Sequence, residues 1–222
     1  MKHTLTAFAA AGALCLTLTA CGNAAQTYTD YVQSVMDCTY RGTFDKYMEL
    51  TESTAEEAQA VYDDEVEYIS SLMRYNAAVE DDYIADSTME RFDTLAEKLM
   101  GKLKYTVEPA VRSGETYHIT ITAEPVDFWD ASLDELNQIY EDEFSERFYD
   151  VDLESAEYEA LEAEWGDRAL TVLEESIDQT GYKPAQSMIV EITVDDDGNY
   201  GIDDKNWLDV DDLLLDMDSN AE

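Results

Sequence analysis

Acidic side chains outnumber basic ones 52 to 13, a formal net charge of -39, and this imbalance restricts the folds open to the chain more than any other feature. Carboxylates are almost never buried without a partner, and 13 bases cannot partner 52 acids. Each helix or strand must therefore turn one narrow apolar stripe inward and leave its acids in water. The stripes are available, because 45% of residues are hydrophobic and 11% aromatic. The composition is that of a globular body rather than a disordered acidic tail. The same charge repels phosphate backbones and anionic headgroups, and so few bases make no binding stripe, so nucleic acid is excluded as a partner.

Met1, Lys2 and His3 give a short cationic start, and Thr4 to Ala20 follow without a charge. A cationic start and a short apolar run of this kind read as a secretory signal, too short and too rich in threonine for a stop-transfer helix. Its end, Leu18, Thr19, Ala20, Cys21, then Gly22 and Asn23, resembles the lipobox of bacterial lipoproteins. The resemblance implies that Cys21 carries thioether-linked diacylglycerol, forms the mature N-terminus and anchors the chain to the bilayer on the extracytoplasmic side of the cell membrane. Two acyl chains hold a protein durably where one is marginal. The alternative is an ordinary cleaved signal in which Cys21 follows the small residues by coincidence. The expected layout is a signal peptide over 1–20, an acylated Cys and short tether over 21–26, and one α+β domain over 27–222. Cys15 leaves with the leader; with Cys21 acylated, as the resemblance implies, Cys38 is the remaining free thiol and no disulfide framework forms within the chain.

Apolar residues beyond the tether recur first at helical spacing. Tyr31, Val35 and Cys38 predict a helix that Gly42 interrupts, and Phe44, Tyr47 and Met48 a further turn or two. Thr54 with Glu57 has capping-box spacing and opens a helix carrying Ala58, Val61, Tyr62, Ile69, Leu72 and Met73. Ser87 with Glu90 opens another, through Phe92, Leu95 and Leu99 to Gly101. The period then falls to two: Leu103, Tyr105 and Val107 before a turn at Ser113 and Gly114, and Tyr117, Ile119, Ile121 and Ala123 after it. That predicts a hairpin. Ser132 with Glu135 is read as a further helix start, a second acidic helix carries Tyr158 to Ile177, and Met188, Val190, Ile192 and Val194 lead into a second hairpin. A short tail holds Trp207, Val210, Leu213 and Leu214. Helices then hairpin, twice over, predict an α+β fold: one antiparallel sheet of about four strands covered on one face by four to five helices.

The run Val194 to Asp203, with Gly198, Asn199, Tyr200, Gly201 and Ile202 at its turn, resembles the closing hairpin of nuclear-transport-factor-like cone folds. The tyrosine-rich helix from Tyr28 to Tyr40 resembles that of uncharacterised lipoprotein domains of Gram-positive gut bacteria. These resemblances imply a cone-like or cystatin-like arrangement. Members of that fold include enzymes and binding modules, so the fold assigns no activity.

Asp195, Asp197, Asn199 and Asp203 offer the oxygen ligands calcium prefers, although Tyr200 stands where an EF-hand needs Gly and Asn206 where it needs Glu. Phe128 and Trp129 beside Pro125 could stack on a ligand or staple the next helix. Cys38 and His118 are the sole candidates for a nucleophile and its base, and their settings, a helix's apolar side and a strand's threonine face, argue against it. The acids of the C-terminal run, Asp209, Asp211, Asp212, Asp216 and Asp218, are expected to face water. Arg91, Lys98, Lys102, Lys104 and Arg112 make one locally basic stretch, expected to neutralise the acidic helices of 132–180. No G-x-S-x-G, P-loop or dinucleotide glycine pattern is present. The leading expectation is a membrane-anchored, non-catalytic module that binds a small-molecule ligand, a protein partner or a divalent cation. The alternatives are an extracytoplasmic hydrolase using paired carboxylates and a structural component of a cell-envelope complex.

Overall fold

The computed structural model describes residues 24–114, 116–194, 200–202 and 204–216. In chain order these form α1 (Ala24–Arg41), α2 (Asp45–Thr51), α3 (Ala55–Asn76), a 3-10 turn (Asp81–Tyr83), α4 (Asp86–Met100), β1 (Lys104–Val107), β2 (Val111–Ser113), β3 (Thr116–Glu124) and β4 (Val126–Asp127). There follow α5 (Trp129–Ile139), a π-helical turn (Tyr140–Phe144), α6 (Ser145–Asp150), α7 (Ala156–Ile177), β5 (Gly181–Tyr182), β6 (Gln186–Val194), β7 (Tyr200–Ile202) and α8 (Asp204–Leu215). The class is α+β, with a main sheet ordered β1-β3-β6-β7 and β2 also paired to β3. Because β1 and β2 both run beside β3, the sheet is about four strands wide. Its central pair is antiparallel, Ile119 opposite Val190 and Ile121 opposite Met188.

The chain divides into two compact units. The first comprises Met1–Tyr62, Tyr105–Ala123 and Gln186–Leu213. Alternation along β3 and β6 sends Ile119, Ile121, Val190 and Ile192 inward, all fully buried. α1 lies against that face: the Tyr28 ring meets those of Tyr117 and Tyr200 at 4.5 and 4.9 Å, and Tyr31 meets Tyr200 at 5.1 Å. The other side of α1 packs on α2 and the start of α3 through Cys38, Tyr47 and Ala58. Gly42 makes the turn between α1 and α2 at φ +58°, a conformation costly for any residue with a Cβ. The predicted capping box is formed: the Glu57 amide donates to Thr54 Oγ1 at 3.2 Å and the Thr54 amide to Glu57 Oε2 at 2.8 Å. β7 is only three residues long, and where it stops the Asn206 side chain of α8 accepts from the Glu191 amide at 3.0 Å.

The second unit comprises Asp63–Lys104, Glu124–Ala185 and Leu214–Glu222. α7 runs beside α4, joined by Thr88 Oγ1 donating to Asp167 at 2.7 Å and by the Arg91–Glu174 ion pair at 2.7 Å. At Gly166 it passes close to the segment before α4: a Cβ there would stand 2.4 Å from Ile84 Cγ2. The neighbouring Trp165 donates its indole N–H to the Ala77 carbonyl at 2.9 Å. β4 and β5 form a small two-stranded sheet, unforeseen because each strand is only two residues long. Lys183 fastens it, bonded to Asp130 at 2.9 Å and to Asp216.

Three sequence expectations are corrected and one is completed. α5 begins at Trp129, so Ser132 is not a cap: it is fully buried and its hydroxyl donates back to the Phe128 carbonyl at 2.6 Å. α4 begins at Asp86 with Ala85 before it, one residue ahead of the expected Ser87 start. The short tail holding Trp207 to Leu214, given no secondary structure from the sequence, is helical. Ala24 to Gln26, expected in the tether, form the first turn of α1.

Candidate functional site

Two polar stripes in the second unit face one another across a groove of about 400 Å3. Asp63 and Glu67 stand four residues apart on α3, and Asp93 and Glu97 four apart on α4, so each helix presents its pair on one side. Val66 and Met89 supply the apolar part of the lining. Such a volume suits a small ligand or a few side chains of a larger one.

Arg74, the one base lining the groove, is not available to a ligand. It is 6% exposed, its Nε lies 2.6 Å from Asp81 and its Nη1 donates to Ser70 at 2.5 Å. The groove therefore offers carboxylates over a partly apolar floor, the complement of an organic cation. Among the described residues no group of three or more His, Cys, Asp or Glu side chains is arranged to hold a metal ion.

The expected site residues fall elsewhere. Cys21 and the calcium set Asp195, Asp197, Asn199 and Asp203 lie outside the described residues. Phe128 and Trp129 are 1% and 2% exposed, with ring centroids 5.0 Å apart, so both faces are spent on packing and neither ring is open to a ligand. Cys38 is fully buried, its thiol directed at the Ala58 carbonyl 3.5 Å away, and burial pushes its pKa up to about 12. His118 stands on the opposite, outer face of the sheet, with Nε2 3.6 Å from Glu191. In the basic stretch Arg91 pairs with Glu174 and Lys104 with Glu124 at 3.2 Å, neutralisation within the fold as expected of the first pair.

One member of the acidic C-terminal run turns inward instead of facing water. Asp211 is 4% exposed and accepts from the Tyr40 hydroxyl of α1. Burial pushes its carboxyl up to about 7, the neighbouring Asp212 charge adds to the rise, and the Tyr40 bond opposes it. The sequence carried a signal for this: Trp207, Asp211 and Leu214 share a helix face at spacings of four and three.

No family model matches the chain, and no curated protein matches it. Among solved structures, the crystal structure of ycdA from Bacillus subtilis, classed as a lipoprotein, superposes with a TM-score of 0.55 at 15% sequence identity. The match covers 86% of this chain and 57% of that one, so the chain spans little more than half the length of its neighbour. At this identity the likeness is one of fold.

Proposed function

We propose that the protein is a lipoprotein held to the outer face of the cell membrane through acylated Cys21, and that its body binds an organic cation without transforming it. The observation that carries the reading is the run Leu18, Thr19, Ala20, Cys21, followed after two residues by the start of α1 at Ala24. A fold shared with a chain classed as a lipoprotein supports it. Among the described residues no helix is long and apolar enough to cross a membrane. The groove supports the binding half: Asp63, Glu67, Asp93 and Glu97 line it together with Val66 and Met89. Glu162 and Asp211, whose carboxyl pKa values burial raises, both lie outside it, which favours binding over acid-base chemistry.

Mass spectrometry of native, membrane-extracted protein tests the anchor. The expected N-terminal residue is Cys21 bearing diacylglycerol. A retained leader, or an unmodified sulfur at that position, would overturn the reading.

A further inference from the structure

A second surface, independent of the groove, is built around the π-helical turn. The Ser145 amide donates to the Tyr140 carbonyl, five residues back. Residues four apart advance past a full turn on an α-helix and fall short of one on the wider π turn, so the two drifts cancel between Tyr140 and Phe148. Their rings stack at 5.8 Å and 22°. Tyr158 of α7 meets Phe148 edge-on at 6.0 Å, and Tyr83 meets Tyr158 at 5.6 Å, extending one line of four rings. Buried Trp165 and Phe144 support it from beneath, with Trp165 5.3 Å from Tyr140.

The four upper rings are only half-buried, and the same segment leaves Tyr149 89% and Leu153 67% exposed. Scattered apolar side chains on a surface need no explanation, but a contiguous aromatic ridge does. The ridge segment is also acidic: residues 140–160 hold nine acids and one base, Arg147, and Arg168 of α7 lies 3.5 Å from Glu143. Tyr158 donates its hydroxyl to Glu162, which is 7% exposed. Arg147 displays the chemistry the surface favours. Its guanidinium lies 5.1 Å from the Phe144 ring centroid while Glu164 holds it at 2.5 Å, an aromatic face and a carboxylate acting on one cation.

We propose that this ridge, with exposed Tyr149 and Leu153 of the same segment, is a docking surface for a basic polypeptide segment, whose Arg and Lys side chains lie on Tyr83, Tyr140, Phe148 and Tyr158, cover Tyr149 and Leu153 with their stems and pair with the surrounding acids. Charge complementarity selects that occupant. A second copy of the chain brings the same excess of acids, and anionic lipid is repelled.

The full chain in zwitterionic detergent, titrated with a fluorescent ten-residue Arg-Gly repeat peptide, tests the proposal. Tyr149→Ala with Leu153→Ala removes exposed apolar surface and leaves every charge in place; circular dichroism verifies the fold. The double variant is expected to lose roughly tenfold in affinity, and a groove variant, Asp93→Asn with Glu97→Gln, less than twofold. Equal losses in the ridge and groove variants would reduce the effect to non-specific attraction and overturn the proposal. So would absent peptide binding, an unaffected double variant, ridge-dependent dimerisation, or ridge-dependent binding to phosphatidylglycerol vesicles.

Discussion

Tyr40 donates its phenolic hydrogen to Asp211, 171 residues along the chain, and so ties α1 to α8 through a carboxyl group that is 4% exposed. The bond joins the beginning and the end of the first unit's sequence. It satisfies one oxygen of an acid that would otherwise be costly to bury.

Stability should therefore depend on pH in a window set by that one group. The folded pKa of about 7 exceeds the ordinary aspartate value near 4. The folded state thus binds the proton more tightly, and the stability Asp211 contributes is fully present below about pH 4 and lost as pH rises through 7. Melting temperature should fall from pH 5.5 to pH 8, and Asp211→Asn should flatten that slope. An equal slope in the variant would assign the effect to the other carboxylates.

Cys38 should be inert until the protein unfolds. Its thiol is fully buried and its pKa is pushed up to about 12, so little thiolate exists at neutral pH and none is accessible. An aromatic disulfide reagent should modify less than a tenth of Cys38 within an hour in buffer and all of it in denaturant. Rapid labelling in buffer would contradict the buried placement.

Gly166→Ala should destabilise by about 1–3 kcal/mol, because the new methyl meets Ile84 Cγ2 at 2.4 Å and that atom sits on a β-branched side chain with little freedom to retreat. Ile84→Ala in the same chain should recover part of the loss. Urea unfolding of the two single variants and the double variant measures the coupling, and strict additivity would show that the contact does not matter.

Cations should stabilise the protein by two separable routes. Salt screens the 52 acids wherever they stand, whereas spermidine should raise the melting temperature further at equal ionic strength and lose that excess in Asp93→Asn with Glu97→Gln. Calcium beyond the sodium effect, abolished by Asp195→Asn with Asp197→Asn, would place a specific ion at the second hairpin. Identical responses to all three cations at matched ionic strength would leave screening alone.

Much of the architecture is legible in the residues themselves. The stripe Ala58, Ile69, Met73 with its Thr54–Glu57 cap marks α3, and the alternation Ile119, Ile121, Ala123 marks β3, because each follows from the period of one isolated element. What escaped depends on partners. Ser132 has the spacing of a cap, yet a helix start at Trp129 places it one turn inside. The groove acids Asp63, Glu67, Asp93 and Glu97 read singly as solvated charges, and only the pairing of α3 with α4 brings them together. Asp211 looked like its exposed neighbours until Tyr40 came within reach. The π turn has no sequence signature of its own, since its five residues fit an α-helix equally well.

The early start of α1 has a mechanical consequence. With Ala24 already helical, acylation of Cys21 as proposed would leave three residue steps between lipid and helix, a reach of about 10 Å at most. Ionic atmosphere at physiological salt extends about 8 Å. A body so tethered could not drift clear of the headgroups it repels, and would share its counterions with them.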